Sequence, residues 1–125
     1  MILGLGIDLV HIPRVEKALN RWGERFLSRV FTSEECLYCL KHRQPAQGLA
    51  LRFAAKEACC KALGTGMRLG VAWRQMSISH KPSGKPVLNL SGCALKRAKD
   101  MGAGAWHVSL SHEGEYATAV VIMSI

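Results

Sequence analysis

The sequence predicts an α+β fold with a mostly antiparallel sheet and helices packed on one side. A strand pattern at the N-terminus is followed by several helical patterns, and the second half contains two hairpin patterns separated by a short helix. Each hairpin pattern has a turn sequence, KPSGK or HEGE, between two β-type runs. Strands joined by such turns pair antiparallel, and the helices then cover one face of the sheet. A length of 125 residues is typical of one domain, and we expect residues 1–125 to form it.

The first predicted strand covers residues 2–10. Its two faces differ in character, because large apolar residues alternate with glycine and one acidic residue. One face carries Leu3, Leu5, Ile7 and Leu9, and the other carries Gly4, Gly6 and Asp8. Glycines on a strand let another part of the chain approach the backbone closely. The strand therefore predicts a close packing partner on its glycine face, beside one carboxylate.

Three helices are predicted next, over residues 13–22, from Thr32 to about His42, and over residues 46–63. Pro13 suits the first turn of its helix, Thr32-Ser33-Glu34-Glu35 fits a capping box, and Gly64 is a natural C-terminal cap. The first helix has a predicted buried stripe and a basic stripe beside it. The buried stripe is Val15, Ala18, Leu19 and Trp22, and the basic stripe is Arg14, Lys17 and Arg21.

The remaining elements follow from the alternation of apolar and polar residues. Residues 75–80 and 86–90 are predicted to form the first hairpin. A short helix is predicted over residues 92–101. Residues 105–111 and 116–124 then form the second hairpin, which completes the predicted sheet.

The composition narrows the possible partners. A formal net charge of +8 favours nucleic acid, a phosphorylated ligand, an acidic protein or an acidic membrane surface. RNA binding is disfavoured, because aromatic residues make up 6% and no strand interleaves aromatic with basic residues. No apolar run is long enough to cross a membrane. We expect no membrane partner. Five cysteines and no secretory signal pattern predict free thiols and a cytoplasmic protein.

The stretch RFAAKEACCKALGTG, residues 52–66, places charges among small residues. Glu57 precedes Lys61 by four residues, which is the preferred order for an ion pair within a helix. Alternatively, Glu57 and Asp8 share a divalent cation, since Mg²⁺ commonly takes one or two carboxylates together with phosphates and water. Asp8 also has a second interpretation, in which it turns to solvent and caps the helix that follows. Lys56 is expected to face solvent.

Three basic residues could hold a pyrophosphate group near such a cation. They are Lys61, one turn beyond Glu57, Lys85 in the SGKP turn, and Arg52. An ordinary hairpin turn explains Lys85 equally well if it is considered alone.

Two further groups of residues give weaker indications of a different chemistry. Cys36, Cys39 and His42 have the spacing of half a zinc site, but no second half follows, so core packing is favoured. Ser109, Ser111 and His112 suggest a serine hydrolase, but the chain has no G-x-S-x-G elbow. His112, at the end of a strand, is better explained as a hydrogen-bonding group for a ligand.

Four stretches together resemble one family, the holo-[acyl-carrier-protein] synthases, which are the small trimeric type of 4'-phosphopantetheinyl transferase. The stretches are GIDLVHIPRV (6–15), FLSRVFTSEE (26–35), RFAAKEACCKALGTG (52–66) and HVSLSHEGEYATAVV (107–121), with GKP (84–86) between the last two. The resemblance covers nearly the whole chain in the family's order and spacing.

The resemblance implies a 4'-phosphopantetheinyl transferase fold and a Mg²⁺-dependent reaction. In that reaction, phosphopantetheine passes from coenzyme A to a serine of apo acyl carrier protein, and adenosine 3',5'-bisphosphate is released. The activity supports fatty acid biosynthesis. The resemblance also implies a homotrimer with active sites between neighbouring subunits. An inactive relative that only binds coenzyme A is the alternative that remains open.

The resemblance also implies roles for individual residues. Asp8 and Glu57 match the metal-binding carboxylates, and Lys61 matches the lysine near the pyrophosphate. For the mechanism, our hypothesis is that either Glu57 or a metal-bound water accepts the serine proton. The remaining matches contact the substrates: Gly84, Lys85 and Pro86 in a coenzyme-contacting turn, Arg52 and His112 near the 3'-phosphate, and Arg14 and Arg21 on the helix that docks the acidic carrier. Val10 stands where some relatives have a third carboxylate, so water must complete the metal's shell.

Overall fold

The computed structural model describes all residues from 1 to 125. Its helices and strands are β1 (Ile2–His11), α1 (Ile12–Trp22), α2 (Glu24–Val30), α3 (Ser33–Leu40), α4 (Pro45–Leu63), β2 (Met76–His80), β3 (Pro86–Leu90), α5 (Gly92–Asp100), β4 (Ala105–Glu113) and β5 (Tyr116–Ser124). A short 3₁₀ turn, Trp73–Gln75, precedes β2. None of the helices is long and apolar enough to cross a membrane.

The strands form two antiparallel sheets. The larger has the order β1-β5-β4, and the smaller pairs β2 with β3. The indole nitrogen of Trp106 on β4 donates to the carbonyl oxygen of Leu88 on β3 at 3.0 Å and so links the two sheets. α4 packs against β1 and β5 on one side of the larger sheet. The predicted fold class is confirmed, with the sheet divided into two parts.

The contact between β1 and α4 is unusually close because both sides carry small residues. A Cβ atom added at Gly6 would collide with the carbonyl oxygen of Ala58, and one at Gly4 would collide with that of Ala62. The prediction that the glycine face of β1 has a close partner is confirmed. The opposite face is open, and Leu5, Ile7 and Leu9 are 61%, 62% and 65% exposed there.

The structure corrects the description of the first helix. Trp22 is the last residue of α1 and is 47% exposed, so its predicted place in the buried stripe is wrong. Gly23 adopts a positive φ of 51° and turns the chain away at that point. Trp22 instead lies under two guanidinium groups, those of Arg21 at 4.9 Å and Arg25 at 5.7 Å. The short helix α2 that follows was not predicted.

The capping box at the start of α3 is confirmed, and it has a second role. The backbone N–H of Glu35 donates to the Thr32 hydroxyl at 3.3 Å, and the backbone N–H of Thr32 donates to the Glu35 carboxylate at 3.0 Å. The same carboxylate accepts a hydrogen bond from Lys56, which is completely buried. The expectation that Lys56 faces solvent is therefore wrong, because its counter-ion lies 21 residues earlier in the chain.

Candidate active site

Asp8 on β1 and Lys61 on α4 are joined directly. The Lys61 ammonium donates to the Asp8 carboxylate at 3.2 Å and to the carbonyl oxygen of Ile7 at 2.9 Å. Lys61 therefore pairs with Asp8 rather than with Glu57 on its own helix, so the intrahelical ion pair is not formed. The helix-capping alternative for Asp8 also fails, because α1 begins after His11 without a side-chain cap.

Asp8 and Glu57 line the same open cavity of about 330 Å³. β1 supplies Asp8, and the close approach of α4 brings Glu57 to the same opening. Arg14 lies at the cavity, and the rest of its wall is mainly apolar: Leu9, Val10, Val15, Ala18, Phe26 and Phe53. The cavity thus combines two acidic groups with a mainly apolar lining.

The electrostatics of this pair favour a cation. Burial raises the pKa of Glu57 above its ordinary value, the nearby charge of Asp8 raises it further, and Lys61 opposes both effects. The Asp8 side chain is only 18% exposed. Lys61 pairs with Asp8 and not with Glu57, so the Glu57 carboxylate lies in a partly desolvated place without an ion-pair partner, where a divalent cation would stabilise its negative charge.

The donor set fits magnesium with few protein ligands. No group of three His, Cys, Asp or Glu side chains in the chain is placed to hold a metal ion together. Asp8 and Glu57 would therefore supply two oxygen ligands, and Val10 beside them supplies none. Mg²⁺ is commonly bound through one or two carboxylates, with phosphate oxygens and water completing its shell.

Arg52 and His112 lie in a different region, beside the first turns of α4. The Arg52 side chain is buried, donates to the carbonyl oxygen of Gly48 at 3.1 Å and stacks over the Tyr38 ring at 4.6 Å. Its Nε atom has no hydrogen-bond partner. His112 forms a hydrogen bond with Gln47 at 3.3 Å. Neither Arg52 nor His112 lines the cavity of Asp8 and Glu57.

The predicted turn residues are also separate from this cavity. Gly84, with a φ of 91°, and Lys85 are exposed in the turn between β2 and β3, and Pro86 begins β3. The turn is closed by hydrogen bonds between the backbones of Lys81 and Lys85 and of Gly84 and Lys81. A single chain therefore gathers Asp8, Glu57, Lys61 and Arg14, but not the other predicted coenzyme contacts.

The residues that suggested other chemistry have structural partners. Cys39 is buried against α4, where its sulfur would lie 3.1 Å from a Cβ added at Gly48, and the ring of His42 bonds to the carbonyl of Tyr38. Ser109 and Ser111 lie on the exposed face of β4, and His112 pairs with Gln47 instead of a serine. Neither a zinc site nor a hydrolase triad is assembled.

Comparison with known proteins identifies the family. The model of the 4'-phosphopantetheinyl transferase superfamily matches residues 4–121. The chain belongs to this superfamily. Similar curated proteins include the holo-[acyl-carrier-protein] synthases of Koribacter versatilis, 44% identical over 98% of both chains, and of Trichlorobacter lovleyi, 47% identical over 98% of both. The predicted family and its enzyme class, a transferase, are therefore confirmed.

Solved structures of this transferase family have the same fold. The holo-[acyl-carrier-protein] synthase of Neisseria meningitidis superposes with a TM-score of 0.91 at 35% identity over 100% of both chains. That of Helicobacter pylori, solved in complex with coenzyme A, gives 0.84 at 33% identity over 96% of this chain and 99% of that one.

The apolar wall of the cavity was not predicted from the sequence. Phe53 lies four residues before Glu57, so the two share one side of α4, and this spacing was visible in the sequence. Phe26 belongs to the unpredicted helix α2, and nothing in its local pattern indicates that it reaches the cavity.

Proposed function

We propose that this transferase moves 4'-phosphopantetheine from coenzyme A to a serine of apo acyl carrier protein, releasing adenosine 3',5'-bisphosphate. The observation that carries the proposal is the meeting of Asp8 and Glu57 at one open cavity, with Lys61 hydrogen-bonded to Asp8. Phosphoryl transfer of this kind depends mainly on positioned charges, and the serine nucleophile belongs to the carrier. The absence of a nucleophile–base pair in this chain is consistent with that division of roles.

Asp8 and Glu57 would hold Mg²⁺, and this ion, when bound, would neutralise charge on the pyrophosphate and on the departing phosphate. Lys61 would bind a phosphate oxygen from the same side. The carrier serine oxygen forms a bond to the phosphorus that bears pantetheine, and the bond from that phosphorus to the bridging oxygen breaks. The serine proton would pass to Glu57, directly or through water.

The coenzyme contacts are proposed to come partly from a second copy of the chain. Arg52 and His112 would bind the 3'-phosphate, and Gly84, Lys85 and Pro86 would contact the coenzyme from their turn. Because these residues lie away from Asp8 and Glu57, a homotrimer with active sites between subunits would bring the two groups together. The exposed apolar face of β1 supports such an assembly, since a face of this kind is typical of a protein interface.

The carrier would dock on α1. Arg14 and Arg21 are exposed, and Arg14 lies at the cavity itself, so an acidic carrier bound there would present its serine to the carboxylate pair. We further propose that residues 1–125 act as one domain in the cytoplasm and supply fatty acid biosynthesis with modified acyl carrier protein. All five cysteines are free thiols, which suits that reducing compartment.

One assay tests the proposed reaction. The protein is incubated with apo carrier protein, coenzyme A and Mg²⁺, and the carrier is weighed by mass spectrometry. We expect the gain of one phosphopantetheine group, and no gain with excess chelator. An unchanged carrier mass would overturn the proposal. Coenzyme A binding without transfer would then identify an inactive relative, and retention of RNA in a gel shift would identify an RNA-binding protein.

A further inference from the structure

The interior of the molecule contains one charged pair that the proposed chemistry does not use. Lys56 and Glu35 are both completely or almost completely buried, and their charged groups lie 2.8 Å apart. Burial lowers the pKa of Lys56, and the charge of Glu35 opposes that effect. A buried ion pair is often no more stabilising than apolar residues of similar size, so added stability alone does not explain it.

The pair is fully hydrogen-bonded, and its hydrogen bonds join four segments of the chain, α4 included. The Lys56 ammonium donates all three of its N–H groups, to Glu35 and to the carbonyl oxygens of Trp73 and Met76. Glu35 also accepts from the backbone N–H groups of Thr32 and Ile78, each at 3.0 Å. The network therefore fixes α4 against the start of α3, the turn before β2, and β2 itself.

The side of α4 that faces β1 has fewer directional contacts. Lys61, whose side chain is 54% exposed, donates to Ile7 and Asp8, and the rest of the contact is Ala58 and Ala62 against Gly4 and Gly6. Small side chains permit a close approach, but they interlock little, so they restrict rotation and sliding of the helix weakly. The hydrogen bonds of the completely buried Lys56 add that restriction from the other side. Lys56 is also next to Glu57, about 100° around the helix from it.

We propose that Lys56 and Glu35 are positioning residues that set the rotation and height of α4 so that Glu57 faces Asp8. This inference rests on the proposed function, because it assigns the pair a purpose at the same carboxylate site. Lys56 contacts neither substrate nor the reacting atoms. Its effect passes through one peptide unit of α4, and a small rotation there would move the Glu57 carboxylate away from the ligand position it shares with Asp8.

The test removes both charges together. Lys56→Met alone would leave Glu35 buried without its cation, which is strongly destabilising. The double variant Glu35→Gln with Lys56→Met keeps similar volumes and leaves an oxygen to accept from Thr32. The matched control is Lys96→Met with Asp100→Asn, which removes an exposed ion pair of 3.0 Å on α5.

The informative measurement is Mn²⁺ binding to the full chain without coenzyme, followed by electron paramagnetic resonance. We expect the double variant to bind Mn²⁺ about tenfold or more weakly than the wild type, as is usual when groups that orient a metal ligand are lost. kcat for carrier transfer should fall by a similar factor, while KM for the carrier stays near the wild-type value because α1 is unchanged. The control should match the wild type in both measurements.

Two outcomes would overturn the inference. One is a folded double variant with wild-type Mn²⁺ affinity and kcat, which would make the pair purely structural. If the double variant does not fold, Glu35→Asp replaces it, because this change keeps both charges and shortens the acidic side chain by one methylene. The second contradicting outcome is a folded Glu35→Asp variant that binds Mn²⁺ as tightly as the wild type does.

The same experiment separates this inference from the proposed reaction. If the wild type fails to modify apo carrier protein, the proposed function is wrong. The Mn²⁺ comparison still shows in that case whether Lys56 and Glu35 position the two carboxylates.

Discussion

Asp8 and Glu57 are partly buried carboxylates, and Lys61 forms an ion pair with Asp8. We predict that Asp8→Asn and Glu57→Gln each lower the rate of phosphopantetheine transfer by about 100-fold or more, because each removes a negative ligand of the Mg²⁺ that would neutralise the reacting phosphates. The replacements are nearly isosteric, so the thermal unfolding midpoint should stay close to that of the wild type. Carrier mass against time measures the rate.

Asp100→Asn is the control for these variants. Asp100 is an exposed carboxylate that pairs with Lys96 on α5, so its loss removes a charge of the same sign without touching the cavity. This variant should retain wild-type transfer. Near-normal turnover in both Asp8→Asn and Glu57→Gln would contradict the two-carboxylate model.

The cysteines beside Glu57 serve packing, and their reactivity tests this. Burial raises the pKa of Cys59 to about 12 and those of Cys39 and Cys60 to about 11. The thiolate is the reactive form, so these three side chains should resist iodoacetamide at about pH 8 until the chain unfolds. Cys93, which is partly exposed, should react first, and Cys36 more slowly because burial and Glu35 raise its pKa. Peptide mapping with and without urea measures this order, and rapid labelling of Cys59 in the folded protein would contradict it.

Single residues were predictable from the sequence where their role depends on near neighbours. The capping box of Thr32 and Glu35 is a local pattern, and the structure contains it. Lys56 was misplaced because its environment depends on Glu35 and on two carbonyl groups in distant segments, and no local pattern encodes that pairing. Asp8 and Lys61 are joined across 53 positions, which the sequence could suggest only through the family resemblance.

At the scale of elements, the contact between β1 and α4 carries the candidate site. We predict that Gly6→Ala lowers the free energy of unfolding by about 3 kcal/mol or more, because the new methyl group would collide with the Ala58 backbone and force the two elements apart. Mn²⁺ binding should weaken as well, since Asp8 and Glu57 would separate. Urea denaturation measures the loss of stability.

Gly23→Ala provides the comparison for this variant. Gly23 has a positive φ of 51° and open space around it, so alanine there meets backbone strain of about 1–3 kcal/mol but no collision. A loss at Gly6 no larger than that at Gly23 would show that the close approach of α4 is not required.

The basic stripe of α1 gives a second prediction at this scale. Reversing two charges with Arg14→Glu and Arg21→Glu should raise KM for the carrier about tenfold at low salt and weaken the dependence of KM on salt, because electrostatic steering toward an acidic partner is lost. The control is Lys96→Glu with Lys99→Glu, the same change of charge on exposed positions of α5. Equal effects of the two double variants would place carrier docking elsewhere.

Most element boundaries follow from local signals, and the exceptions have a physical cause. A proline in the first turn and a glycine after the last residue predict α1 and α4, and turn sequences predict both hairpins. α2 was missed because seven residues are too few for a clear helical period, and Gly23 separates it from α1. Which strands pair is decided by packing across the whole chain, so the division into two sheets was not visible in the sequence.

At the scale of the whole molecule, the open face of the larger sheet is the most distinctive surface. Cross-strand partners extend the apolar residues of β1 onto β5, since Leu5 lies opposite Ile122 and Ile7 opposite Val120. The glycine face of β1 indicated a close partner, but the sequence does not show whether the face with the larger side chains is also covered by its own chain. Here the small-residue face is covered by α4, and the face with the larger side chains is exposed.

We predict that Ile7→Glu converts the proposed trimer of the 13.7 kDa chain into monomers, because the new charge would be buried against neighbouring copies. Phosphopantetheine transfer should be lost, since Arg52 and His112 of a second copy could no longer reach the cavity. Mn²⁺ binding should persist, because Asp8 and Glu57 belong to one chain. Leu37→Glu is the control, since Leu37 on α3 is as exposed as Ile7 but lies outside the sheet. Sedimentation velocity measures the assembly state, and a wild-type monomer with full activity would contradict the shared site.

A mixing experiment tests the shared site directly. Asp8→Asn and Arg52→Met should each be inactive alone, because each damages one half of every site. When the two variants are unfolded, mixed in equal amounts and refolded, about a quarter of the sites between neighbouring subunits should combine an intact Asp8 with an intact Arg52. Transfer activity should therefore return to about that fraction of the wild-type rate. No recovery in mixed trimers whose composition is verified by native mass spectrometry would mean that each chain supplies both halves of its own site.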